Sequence, residues 1–282
     1  MCRVAHALST AHRAERRSAI GRSAHFKPQG RPADEPSMQV VAFIGVGAFC
    51  AVSAWVGLRL LLLFARTGRG PERDGAVALL GIGPLGFGLT VLSGQLPPSS
   101  LVLACAIWAL AAACLAAGTT AAYAFTYRVF HPESAAARFT LFAAATVLAV
   151  CWIGEGLVAH FRADLPGSGF TRLADFVRTG ALLWGAVASL RQWFPARRRV
   201  QIGLSDRGVA DRFLLWGVGL AAVGAAGLVD SIAKLVGLSA SGQPALLLMN
   251  ASTGALAALA LYLAFVPAQP LAWLRPAEAT AR

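Results

Sequence analysis

Seven long apolar stretches, separated by short polar connections, run along the chain at about 39–65, 75–96, 101–127, 139–161, 171–193, 212–238 and 244–266. A helix rises 1.5 Å per residue, so about 20 residues cross a hydrocarbon core about 30 Å thick. Each stretch meets that length. None alternates with period two, and in lipid only helices or closed barrels satisfy their own backbone groups. The pattern predicts an all-α fold, a polytopic membrane bundle of seven transmembrane helices. The second stretch holds Pro84 among Gly81, Gly83, Gly86 and Gly88, which predicts a kinked helix in close contact with a neighbour.

The polar connections are not equivalent. One set, with the adjoining helix ends, holds Arg59, Arg66, Arg69, Arg73, Arg128, Arg138, Arg191, Arg197, Arg198, Arg199, Arg207 and Arg212. Arg275 and Arg282 in the C-terminal tail fall on the same side, whereas the opposite connections hold only Arg162 and Arg172. Cytoplasmic loops carry the excess of Lys and Arg, so the N-terminus is expected outside and the C-terminus inside. Tyr127, Trp193 and Trp273 lie near the expected cytoplasmic boundary, where interfacial aromatics belong. The seven-helix domain is expected to fill 38–276, with 277–282 as a short cytoplasmic tail.

Residues 1–37 differ from the rest, with six Arg, Lys27 and three His and no apolar core of a signal peptide. They read as a disordered basic tail, as an Arg-rich targeting segment, or as untranslated sequence ahead of a true start at Met38. The third reading is favoured here, because Met38 opens directly into an apolar stretch. A translated basic tail would also have to be exported against the charge bias.

Composition agrees with a lipid environment. Apolar residues make up 57% of the 282 and charged residues only 13%, where a soluble domain carries about 25%. The net charge of +12 does not read as a nucleic-acid footprint. The basic residues border apolar runs and do not interleave with aromatics on one soluble face. Usage rich in Arg, Ala, Gly and Leu is that of a GC-rich bacterial genome, which would make this a multi-pass protein of the bacterial inner membrane. The five cysteines form no CxxC pair or Cys/His cluster, so neither a metal site nor a disulfide framework is indicated.

Ionisable groups inside spans cost at least ~2.5–3.5 kcal/mol near the bilayer centre and usually face a bundle interior or cavity. Helix four carries Glu155, helix five Asp175 and Arg178, helix six Asp230 and Lys234, and helix seven Asn250, Ser252 and Thr253. Counted from the outer helix ends, Glu155, Asp175, Arg178, Asp230, Lys234 and Asn250 share one slab about 6–12 Å below the boundary. Asp175 and Arg178 are spaced i,i+3, and Asp230 and Lys234 i,i+4, so each pair can meet on its own helix. Gly224, Gly227 and Gly254 accompany them and allow close helix approach. Glu155 has no cation on its own helix and would need Arg178 or Lys234. The functional reading is an outward-facing polar pocket between helices four to seven, binding a small ligand or relaying protons. The structural reading is an internal ion-pair network that fixes packing, with the shallower groups snorkelling.

Other polar residues read as structural. Thr119, Thr120 and Tyr123 suit interhelical hydrogen bonds, and His160 an interfacial position. The Arg197–Arg199 run suits a topology signal touching anionic lipid, or a docking surface for a cytoplasmic partner.

The Asp230-Ser231-Ile232-Ala233-Lys234 sequence resembles the Asp-x-x-x-Lys of the retinal-binding helix in microbial rhodopsins. It differs in position: this Lys is near the outer end of helix six, and helix seven has none, so no retinal or other cofactor is expected. A broader resemblance is to uncharacterised bacterial seven-span membrane proteins, some similar to the sensory segments of histidine kinases. It is carried by Leu58-Arg59-Leu60-Leu61-Leu62, the Arg66–Arg73 turn, Gly83-Pro84-Leu85-Gly86 and the closing Phe265-Val266-Pro267 and Trp273-Leu274-Arg275. That resemblance implies sensing without an output domain of its own. With no HExxH, GxSxG or P-loop, an enzyme is not expected. The expectation is a receptor-like sensor that signals through the Arg191–Arg212 loop, the alternative a small-solute or proton-coupled transporter.

Overall fold

A computed structural model describes residues 35–161, 168–204, 206–236 and 243–265. The chain divides into two units, residues 1–36 and 37–282, and the helical bundle belongs to the second. The basic tail to residue 34, Arg162, Trp273 and the closing 266–282, including the 277–282 tail, lie outside the described residues.

Among the described residues seven helices are long and apolar enough to cross a membrane. They are α1 (Glu35–Thr67), α2 (Gly70–Gly94), α3 (Leu101–Phe130), α4 (Ala135–Val158), α5 (Gly169–Gln201), α6 (Arg207–Leu235) and α7 (Pro244–Phe265). The described chain contains no strand. The protein is an all-α integral membrane protein with seven spans.

Local chemistry sets the helix ends. Thr67 and Glu72 share a side-chain hydrogen bond across the α1–α2 turn, where Gly68 takes a φ of +68° that disfavours a side chain. Ser134 caps α4 by accepting from the Ala137 amide at 3.2 Å, and Asp206 caps α6 by accepting from the Gly208 amide at 3.0 Å. In α2 the Gly83–Gly88 segment widens into a π-helical turn. Pro84 has no N–H to give, and the ladder shifts register around it. The kink expected in this helix takes that form.

The bundle is inverted relative to a soluble domain. Leu62 is 65%, Phe139 74% and Val102 85% exposed, all large apolar residues that suit contact with lipid. The interior is built from Ala, Gly, Ser and Thr, among them Ala76, Ala111, Ala186, Ala188, Ser53, Thr119 and Ser189. Small residues let backbones close in where hydrocarbon gives helices no hydrophobic reason to associate. One close case is α2 against α3: a Cβ on Gly81 would sit 2.8 Å from the Gly118 Cα.

These contacts fix the arrangement. On one flank α1 lies against α7, where Gly45 meets Ala251, and on the other against α2, where Ser53 meets Gly83. Next to α2 comes α3, which also touches α4 and α5; α5 packs on α6, and α6 on α7. Tyr123 in α3 donates to the Val177 carbonyl of α5 at 2.9 Å, an interhelical bond as expected. Thr119 and Thr120 instead return their hydroxyls to Leu115 and Ala116 of their own helix. Helices α1, α2, α3, α5, α6 and α7 thus surround a common interior, and α4 sits outside it against α3 and α5.

One element runs longer than its hydropathy. Apolarity ends near residue 193, yet α5 continues to Gln201, carrying Pro195 within it. Arg191–Arg212 is therefore not a loop of about twenty residues. Most of it is helix, and the α5–α6 connection shrinks to residues 202–206. Arg, Gln and Ala are good helix formers in water, and the last-turn Arg198 and Arg199 suit the negative end of the helix dipole. Apolarity marks where lipid stops, and the helix goes on past that point. Arg197 stacks over the Trp193 ring at 5.4 Å on this extension.

Candidate functional site

The candidate site grows from charges on two packed helices. The i,i+3 spacing brings Arg178 Nη1 to Asp175 Oδ1 at 2.8 Å within α5, and the i,i+4 spacing brings Lys234 Nζ to Asp230 Oδ2 at 2.8 Å within α6. A third contact joins the helices, since Lys234 Nζ also reaches Asp175 Oδ2 at 2.9 Å. The four side chains form one chain of charge, Arg178–Asp175–Lys234–Asp230, with two positive and two negative members. Only the two contacts within a helix were legible as spacings.

Beneath this quartet lies a cavity of about 320 Å³, within the range of small-ligand pockets, about 300–1,000 Å³. Asp175, Arg178, Asp230, Lys234 and Asn250 all line it. Its wall continues down α6 through Gly227, Val223, Gly219 and Leu215, about 28 Å from Lys234 to Leu215 at 1.5 Å per residue. Phe49, Leu79, Phe87 and Trp216 complete a mostly apolar lining. Charge is confined to one end. At that end Arg178 Nε is buried and has no acceptor among the described residues. Thr253 lines the cavity too, but it and Ser252 give their hydroxyls to the Met249 carbonyl.

Glu155 is elsewhere. It is 6% exposed, and its carboxylate accepts hydrogen bonds from Ser168 and, at 2.7 Å, from Thr171. Ser168 is the N-cap of α5 and Thr171 belongs to its first turn. The carboxylate therefore closes the amino end of α5, where the helix dipole and the unpaired amides favour negative charge. Among the described residues neither Arg178 nor Lys234 pairs with it. The expected counter-charge is replaced by two hydroxyls and a helix terminus. The expectation of a pocket between helices four to seven is corrected likewise: α4 contributes nothing to the cavity, whose other walls come from α1, α2 and α3. Glu155→Gln should weaken the α4–α5 junction by about 1.5–3 kcal/mol, the worth of a hydrogen bond to a charged group. Unfolding in mixed micelles reads that loss, and occupation of the cavity should not change.

Two features escaped sequence reasoning. The apolar wall is one, because Leu, Val, Ala and Gly in a span look alike whether they face a cavity or a neighbour. The row of small residues one and two turns from Asp230 was its only trace. The other is Asp74, a buried acid at the basic end of the bundle, paired with Arg128 Nη1 at 2.5 Å and Arg73 Nη2 at 3.3 Å. It ties the start of α2 to the end of α3. His160 is exposed in the turn after α4 with φ +49°, as an interfacial residue would be. Among the described residues no group of His, Cys, Asp and Glu has the geometry to hold a metal ion.

The chain matches no protein-family model, no curated protein and no solved structure. Function must be argued from the cavity.

Proposed function

We propose that the protein is a receptor-like sensor for a long-chain amphiphile, which occupies the cavity from the outer leaflet and is reported to a separate cytoplasmic partner. The observation that carries this reading is the Arg178 Nε–H, buried at the charged end of an apolar cavity without an acceptor among the described residues. An unpaired buried donor costs about 1–3 kcal/mol, and a head group offering an oxygen relieves it. The quartet is neutral in sum, so a neutral or zwitterionic head suits it better than a net ion. The walls below suit an alkyl chain.

The route out is α5. It is one helix from Asp175 to Gln201, and Arg178 and Arg198 stand about 30 Å apart along it. The arginine bias puts the basic end in the cytoplasm, with the N-terminus outside. Arg197, Arg198 and Arg199, all exposed, then present a charged helix end to an acidic surface on the partner.

The π-helical turn of α2 supports a second reading. Ile82 and Phe87 flank or enter that turn and line the cavity, and interrupted helices beside a site are a habit of transporters. Vesicles holding the reconstituted protein, a proton gradient and a long-chain alkyl betaine separate the two. The sensor reading expects saturable binding, no gradient-driven uptake, and a shift on the order of 2 Å between spin labels at Arg198→Cys and Val129→Cys. Uptake driven by the gradient and lost in Asp230→Asn would replace the sensor with a transporter.

A further inference from the structure

We infer that the bundle carries a second site, for the phosphate head of an anionic phospholipid, at its basic end. A cavity of about 590 Å³ opens there between α1, α3, α6 and α7. Three arginines from two helices line it, Arg59 and Arg66 of α1 and Arg212 of α6, and no acidic residue does among the described residues. Arg59 is held in place, its Nη1 donating to the Phe265 carbonyl of α7 at 2.9 Å. Among the described residues Arg66 and Arg212 have no ion-pair partner.

The rest of the lining is apolar. Leu63, Phe125, Phe130, Phe213 and Phe265 stand among the walls, and rings of α3 and α6 pack in tilted pairs at 5.8–6.1 Å. A site for a free ion would not need so much apolar surface. A cluster of guanidinium groups fits phosphate oxygens, which Arg binds through paired N–H donors. An aromatic and aliphatic wall beside it fits an acyl chain. Basic pockets between helices on the positive side of a bundle suit anionic heads for this reason. The occupant is a phosphodiester lipid lying with its head at the boundary and a chain against α3 and α6. Nothing in this site depends on the amphiphile reading of the first cavity, although Trp216 lines both.

Native mass spectrometry of the full chain tests the assignment, after stripping in neutral detergent and titration with phosphatidylglycerol, phosphatidylcholine or inorganic phosphate. One phosphatidylglycerol should be retained in preference to phosphatidylcholine. Arg66→Gln with Arg212→Gln should weaken that retention roughly 30-fold, from about 1 kcal/mol for each cation. A control with the same loss of charge, Arg198→Gln with Arg199→Gln, should retain the lipid as the parent does. Far-UV circular dichroism confirms that each variant is folded, and Arg66→Gln alone gives an intermediate loss if the double variant is not. Equal retention of the two lipids, equal losses in the control, or displacement by inorganic phosphate would each overturn the proposal. So would retention only after deletion of residues 267–282, which would give the cavity to the chain itself.

Discussion

Asp175→Asn should lower the stability of the bundle by about 3 kcal/mol, the low end of what is lost when one partner of a buried ion pair is removed. Asp175 is the only member of the quartet that holds two cations, Arg178 at 2.8 Å and Lys234 at 2.9 Å. Asparagine keeps an accepting oxygen but no charge, so the largely buried Arg178 loses its carboxylate partner while Lys234 keeps only Asp230. Asp230→Asn should cost less, about 1 kcal/mol, because Lys234 retains Asp175. Reversible unfolding in mixed micelles gives both values. Equal costs at the two positions would mean that the α5–α6 contact contributes little and that each helix pairs only with itself.

Gly81→Leu should cost at least about 3 kcal/mol, the upper range of overpacking, and is expected to abolish the folded bundle at physiological temperature. A Cβ at Gly81 would lie 2.8 Å from the Gly118 Cα and 2.9 Å from the Cys114 carbonyl oxygen. Both are backbone atoms of α3 and cannot swing aside. The reciprocal approach is as tight, since a Cβ on Gly118 would lie 2.8 Å from the Ile82 amide nitrogen. Gly47→Ala provides the comparison, with nothing within 4 Å of its Cβ, and should leave stability within about 0.5 kcal/mol of the parent. The midpoint of thermal aggregation in detergent reads the contrast.

The number and order of spans were legible because length and apolarity are what a bilayer demands of a helix. Helix ends were less so. Residues 194–201 extend α5 into water, where helix propensity and a solvated charge row replace hydropathy as the governing physics. At the site, Asp175, Arg178, Asp230 and Lys234 stood out because charge inside a span is costly. Their i,i+3 and i,i+4 spacings gave the intrahelical pairs. The Lys234–Asp175 contact was hidden, since it depends on how α5 and α6 face one another. Glu155 shows the converse limit. Depth alone grouped it with the others, but depth does not tell which side of a helix a residue occupies. Its partners proved to be the cap and first turn of the helix that follows. The walls from α1 and α2 were invisible for a similar reason, because an apolar residue facing a cavity has the same sequence signature as one facing a neighbour.

Equilibrium binding of a long-chain alkyl betaine to the purified protein in nanodiscs tests the cavity most directly, with parent, Arg178→Gln and Glu155→Gln compared side by side. Saturable binding weakened about tenfold or more by Arg178→Gln is expected, since a hydrogen bond to a charged group is worth about 1.5–3 kcal/mol. Glu155→Gln should bind as the parent does. Identical affinities in all three proteins, or no saturable binding in the parent, would contradict the account.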